Sequence, residues 1–165
     1  MISLPTLARV HQLFHYDPET GVFTNKIDRN PKAPKGALAG YVNTIGYSVI
    51  QIDNRKIHAH RLAWFYVTGD WPPHEVDHIN RNRSDNRFCN LRLATPTENK
   101  HNTSPRVNNT SGHRGVTWHK KRKKWQAQIS VNNQHRYLGV FDSLEDAVAA
   151  RASAAAEFHP FALKA

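Results

Sequence analysis

From residue 102 to residue 112 the chain reads NTSPRVNNTSG, with one Pro, one Gly and Val107 as its only aliphatic side chain. A stretch with so little to bury cannot run through a core, so it serves as a connector. The chain is therefore read as two modules, residues 1–101 and 112–165, joined by a linker at 102–111. At 165 residues there is room for two modest cores. Lys and Arg exceed Asp and Glu by 23 to 13, for a net charge of +10 and a pI near 10.1. That balance points to a polyanionic partner, with nucleic acid first.

Other classes fall away. No run of about 18 apolar residues, broad amphipathic helix or polybasic tail suggests a membrane partner. The opening residues MISLPTLARVHQLF lack a signal peptide's early charge and cleavage site. A soluble, cytoplasmic protein is expected. A lone cysteine, Cys89, excludes an internal disulfide and a Cys-rich zinc site. Beside Phe88 and Leu91 it is expected to be a buried thiol. The eleven histidines are scattered, and most are expected to be exposed or to contact phosphate.

Within the first module, Leu4, Leu7, Ala8, Val10, Leu13 and Phe14 form a helical stripe over residues 4–16, with Ser3 or Thr6 as cap. YDPETG is a turn and VFT a strand; residues 31–40 form a basic loop, either a solvated surface or a phosphate contact. GYSVIQI, the turn Asp53-Asn54 and KIHAH predict a hairpin, and HRLAWFYV a buried helix stopped by Gly69 and Pro72-Pro73. His58 and His60 are two apart, as metal ligands can be, but without a nearby third ligand packing is the preferred role.

Residues 76–102, VDHINRNRSDNRFCNLRLATPTENKHN, then give strand, basic loop, strand and helix. Thr95 as N-cap, Pro96 at the first helical position and Glu98 as capping-box partner place Asn99 in the first turn. Cleaving a phosphodiester needs a base to deprotonate water, and a cation to steady the phosphoryl oxygens and the leaving group. An Asp-His pair with two asparagines supplies residue types for both tasks. In an ideal pleat Asp77 and His78 point to opposite faces, so both reach one substrate only if the strand end twists.

The segments VDHIN, DNRFCNLRLAT and TENKHN resemble the HNH, or ββα-metal, nucleases, most closely their phage and intron-encoded homing branch. The resemblance implies Asp77 as metal ligand, His78 as general base, Asn90 as the residue that orients the base, and Asn99 as second ligand. The spacing of twelve positions from His78 to Asn90 and nine from Asn90 to Asn99 fits that branch. Asn99 stands where the family name has His, and an amide oxygen favours Mg²⁺ or Mn²⁺ over tight zinc binding. His101 or Asn102 is a possible further contact. Arg81, Arg83, Arg87 and Arg92 are expected to hold phosphates, while Asp85 and Asn86 are expected to shape the loop through Asx turns.

In the second module, residues 115–118, 125–131 and 137–141 read as strands, with Asn132-Asn133 as a turn. Trp125, Ala127, Ile129 and Val131 share one face of the middle strand, and SLED opens an Ala-rich helix to cover it. RGV, KWQAQI, YLGVF and EDA resemble the DNA-binding domain of the Apetala/ethylene-response-factor type. The resemblance implies a sheet in the major groove, with Arg114, Gln128, Arg136 and Tyr137 as contacts. Lys120, Lys121, Arg122 and Lys124 would grip backbone phosphates from the first hairpin loop. Thr117, Ser130 and His135 depart from the Arg often seen in that family, so no sequence preference carries over.

The combined expectation is an α+β chain: a small N-terminal sheet-plus-helix region, a central ββα-metal motif at 74–101 and a C-terminal three-stranded antiparallel sheet on one helix. Its expected function is metal-dependent hydrolysis of double-stranded DNA, leaving 5′-phosphate and 3′-hydroxyl ends by family analogy. The competing reading is a non-catalytic DNA-binding or regulatory protein. Monomer and homodimer are both open.

Overall fold

The computed structural model describes residues 4–102, 109–131, 134–159 and 161, with the backbone alone at Lys100 and His101. The chain is mixed α and β, and divides at Pro96/Thr97 into two compact units. That division lies ahead of the linker read at 102–111. Residues 103–108 of that linker and the Asn132-Asn133 turn lie outside the described residues.

The first unit opens with helix α1 (Leu7–Leu13), capped by Thr6, whose Oγ1 accepts from Arg9 N at 3.3 Å. The helix stops short of the expected residue 16, because residues 14–17 extend as strand β1 (Phe14–Asp17). Phe14 and Tyr16 are both buried while His15 between them is exposed, an alternation that a strand provides and a helix does not. β1 pairs with β2 (Val22–Asn25) through a turn closed by Gly21 N on Asp17 O at 2.8 Å.

A separate three-stranded sheet follows: β3 (Tyr41–Val42), β4 (Ser48–Ile52) and β5 (Arg55–His58). Its β4–β5 turn takes Asp53 and Asn54 through φ values of 44° and 65°, the left-handed pair that a two-residue hairpin needs and that Asp and Asn tolerate. Helix α2 (Ala59–Thr68) lies over this sheet and ends at Gly69, φ 82°, whose N–H bonds Phe65 O. Leu62 and Ala63 are fully buried at its centre, among Val10, Phe14, Ile50 and Ile52. Arg61 reaches from α2 to His74 O and Pro72 O, and so ties the Pro-rich stretch that leads to strand β6 (Glu75–His78). β6 pairs antiparallel with β7 (Leu91–Ala94), and helix α3 (Pro96–His101) follows directly.

The second unit carries β8 (Val116–His119), β9 (Lys124–Val131) and β10 (Gln134–Phe141), in sheet order β10-β9-β8. Helix α4 (Leu144–Phe158), capped by Ser143 Oγ on Asp146 N at 3.0 Å, packs its Ala147 against Val116 and Ala127. Residues 109–111, read as linker, are folded. Ser111 is buried, and its hydroxyl donates to Val116 O at 2.7 Å.

Candidate active site

The register of β6 and β7 sets Asp77 opposite Arg92 and His78 opposite Leu91. Arg92 Nη2 and Nε donate to Asp77 Oδ2 at 2.9 and 3.1 Å, with both side chains largely shielded from solvent. Arg92, read from the sequence as a phosphate clamp, is thus engaged on the candidate metal-binding carboxylate. It is placed to orient that carboxylate and to offset its charge.

His78 is 4% exposed, and its imidazole is held on several sides. Its Nε2 lies 3.1 Å from Asn86 Oδ1. The His60 ring meets it edge-on at 4.9 Å between centroids, and the Tyr47 ring lies at 6.1 Å. Burial lowers the His78 pKa; the Asn86 bond and the carboxylates of Asp77 and Asp85 oppose that shift. The imidazole is therefore neutral near pH 7, the state in which it can accept a proton.

His58 and His60 stack at 5.3 Å and pack against Tyr47, whose other neighbour is the Arg83 guanidinium at 5.0 Å. Burial, reinforced by His78, His58 and Arg61, lowers the His60 pKa to about 3. Its Nδ1 is buried without a hydrogen-bond partner. Folded His60 thus resists protonation that the unfolded chain accepts near pH 6.5. Between those values the unfolded state binds the extra proton, so stability rises with pH and falls on acidification. We expect urea melts between pH 7 and 4.5 to lose up to about 1.4 kcal/mol per pH unit through this group. Unchanged midpoints across that range would overturn the assignment.

The loop between β6 and β7 is tied by amides. Asn90 Oδ1 accepts from Asn80 N at 3.0 Å, while its Nδ2 donates to Asn80 Oδ1 at 3.0 Å and Asp85 O at 2.8 Å. Both ends of the Asn90 side chain are thus spent on the loop, whereas the family resemblance had it orienting the base. Asp85 turns the chain as expected: its Oδ1 accepts from Arg87 N at 3.4 Å, and its ion pair with Arg87, first among several bonds, brings its pKa down to about 2.

Asn86 corrects the Asx-turn expectation. It is 3% exposed and turns its side-chain oxygen to His78. Cys89 is a second correction, being exposed. The single 3₁₀ turn Phe88–Asn90 directs Asn90 inward and Phe88 onto Trp64, which leaves Cys89 facing out.

Arg81, Arg83 and Arg87 line the exposed side of this loop, and Arg83 Nη1 also donates to Ile45 O at 3.0 Å. Asn99 sits on α3, half-buried, in the second unit, and Asn102 is buried in that unit. The side chain of His101 lies outside the described residues.

On the C-terminal sheet, Tyr137 pairs with Gln128, so the two share the face turned away from α4, with Tyr137 57% exposed. Arg136 pairs with Ile129 instead, and its guanidinium lies 4.7 Å from the Phe158 ring centroid of α4. Neighbours on one strand point to opposite faces, which places Arg136 on the helix side of the strand, where it stays exposed. Arg114, Lys120, Lys121 and Arg122 are exposed. Lys124 pairs with Asp142 at 2.9 Å.

Asp77 in the first unit carries a carboxylate oxygen and Asn99 in the second an amide oxygen, each by itself a hard donor of the kind Mg²⁺ and Mn²⁺ take. Among the described residues no group of three or more His, Cys, Asp or Glu side chains is placed to hold a metal ion. No helix of the described residues is long and apolar enough to cross a membrane.

An HNH endonuclease family model matches residues 58–101, which run from His58 to the end of α3. Protein 3.8 of Escherichia phage T7 is 33% identical over 87 residues, covering 52% of this chain and 72% of that protein. No solved structure matches the chain.

Proposed function

The chain belongs to the same family as Protein 3.8 of Escherichia phage T7 and carries an HNH endonuclease domain; from this premise we propose that it is a metal-dependent DNA endonuclease of the phage homing type. The observation that carries the reading is a buried His78, its Nε2 against Asn86 Oδ1, adjacent to the Arg92-bound carboxylate of Asp77. His78 takes the proton from the attacking water. Asp77 would hold Mg²⁺ or Mn²⁺, which would supply charge stabilisation at the phosphoryl and leaving oxygens; Asn99 is the second oxygen donor that the family pattern assigns. Arg92 keeps the Asp77 carboxylate oriented, and Asn90 keeps the loop that carries Asn80 and Asp85 in shape.

Arg81, Arg83 and Arg87 hold phosphates beside the scissile bond. The C-terminal unit holds duplex DNA through Arg114, the Lys120–Arg122 loop, and the outward pair Gln128 and Tyr137. Lys124 joins when its exposed pair with Asp142 yields to phosphate, since such pairs are weak. Replacing Lys120, Lys121 and Arg122 together by Ala should weaken DNA binding and flatten its salt dependence by about two to three in log–log slope. An unchanged slope in titrations at several salt concentrations would remove this loop from the interface.

The whole reading is tested by incubating duplex DNA with the protein and Mg²⁺ or Mn²⁺ and examining the ends. Cleavage that stops with chelator and leaves ligatable 5′-phosphates supports it. Binding without cleavage in either metal would favour a non-catalytic DNA-binding protein.

A further inference from the structure

We propose that Asn86 is the positioning residue for His78: its amide oxygen holds the imidazole in the Nε2–H tautomer and thereby makes Nδ1 the nitrogen that takes the proton from water. The proposal rests on the reading of His78 as general base. The orientation of the Asn86 amide follows from its other end, where Nδ2 donates to Ser84 O at 3.3 Å. That leaves Oδ1 facing His78 Nε2 at 3.1 Å. An amide oxygen only accepts, so the hydrogen of this pair belongs to Nε2, and a neutral imidazole then carries its basic lone pair on Nδ1.

Asn86 is itself fixed from far along the chain. The Tyr16 hydroxyl donates to Asn86 O at 2.7 Å in a buried bond, and Phe88 N donates to Pro18 O at 3.0 Å. Gly21, at φ 73°, packs so closely that a Cβ there would collide with the backbone of Asn86 and Arg87. The N-terminal hairpin thus clamps the backbone on either side of the side chain that holds the base. On its other side the imidazole meets His60 and Tyr47. Asn90, with both amide ends on Asn80 and Asp85, is not available for this task.

Asn86→Ala separates the side chain's role from a structural one, because the carbonyl that receives Tyr16 belongs to the backbone and stays. We expect kcat for DNA cleavage to fall about 10²-fold with KM for DNA unchanged, the cost of a base that loses its orientation. Asn86→Asp keeps an acceptor and should retain clearly more activity than Asn86→Ala. Long-range ¹H–¹⁵N spectra of the His-labelled protein, with the His78 signal assigned by its absence in His78→Ala, should show Nε2–H in the wild type and a shift toward Nδ1–H in Asn86→Ala.

A wild-type His78 protonated on Nδ1 overturns the proposal, as does wild-type kcat in Asn86→Ala. If Asn86→Ala does not fold, the wild-type spectrum and the Asn86→Asp rate decide. A wild type that cleaves no DNA defeats the general-base reading instead, while the spectrum still reports whether Asn86 sets the tautomer.

Discussion

Replacing His78 by Ala is expected to lower metal-dependent DNA cleavage about 10²- to 10⁴-fold, the range for loss of a positioned general base. DNA affinity should be nearly unchanged, because the proposed phosphate contacts come from arginines on the loop and from the second unit. The substitution also removes a ring that is 4% exposed and leaves Asn86 Oδ1 without that partner in a buried site. A stability loss of about 1–3 kcal/mol follows from the lost packing and the unsatisfied acceptor. Single-turnover rates should therefore be compared at a temperature where both proteins are folded. A variant that melts like the wild type and cleaves at the wild-type rate would remove His78 from the chemistry.

Asp77→Ala is expected to abolish detectable cleavage in Mg²⁺ and in Mn²⁺, because it removes the only carboxylate assigned to the cation. It also deletes the acceptor of two Arg92 hydrogen bonds at 2.9 and 3.1 Å. Removing one side of a shielded charge pair costs up to about 3 kcal/mol. Asp77→Asn separates the two effects: it keeps an oxygen for Arg92, and so more of the stability, yet lacks the charge that attracts a divalent ion. Thermal melts and cleavage titrated over metal concentration distinguish them. Robust cleavage by Asp77→Ala would place the cation elsewhere.

The parts of this molecule that depend on neighbouring residues were legible in the sequence. The Asp53-Asn54 turn, the Gly69 stop of α2 and the Ser143 cap of α4 each follow from one or two residues whose backbone preferences are strong. The HNH stretch was legible for the same reason, since its residues are close in sequence and the family model ends at His101. Contacts across the fold were not. Nothing local says that Tyr16 receives the loop 70 residues later, and hence that the Asn86 side chain is committed to His78 and not to an Asx turn. Arg92 reads as one more loop-side cation until the β6–β7 register sets it opposite Asp77. β1 was hidden because Phe14 continues the apolar spacing of α1; only its pairing with Asn25 on β2 shows that the chain has become extended. Arg136 and Tyr137 cannot share one face of one strand, and the register with Ile129 and Gln128 decides which side each takes.

The central claim, that this HNH domain hydrolyses DNA with His78 as its base and with a divalent cation, is tested most directly on supercoiled plasmid. Wild type and His78→Ala are incubated at equal folded concentration with Mg²⁺ or Mn²⁺, with and without chelator. Conversion to nicked or linear plasmid by the wild type alone, abolished by chelator, is the predicted result; equal conversion by both proteins, or conversion that survives chelator, would contradict it.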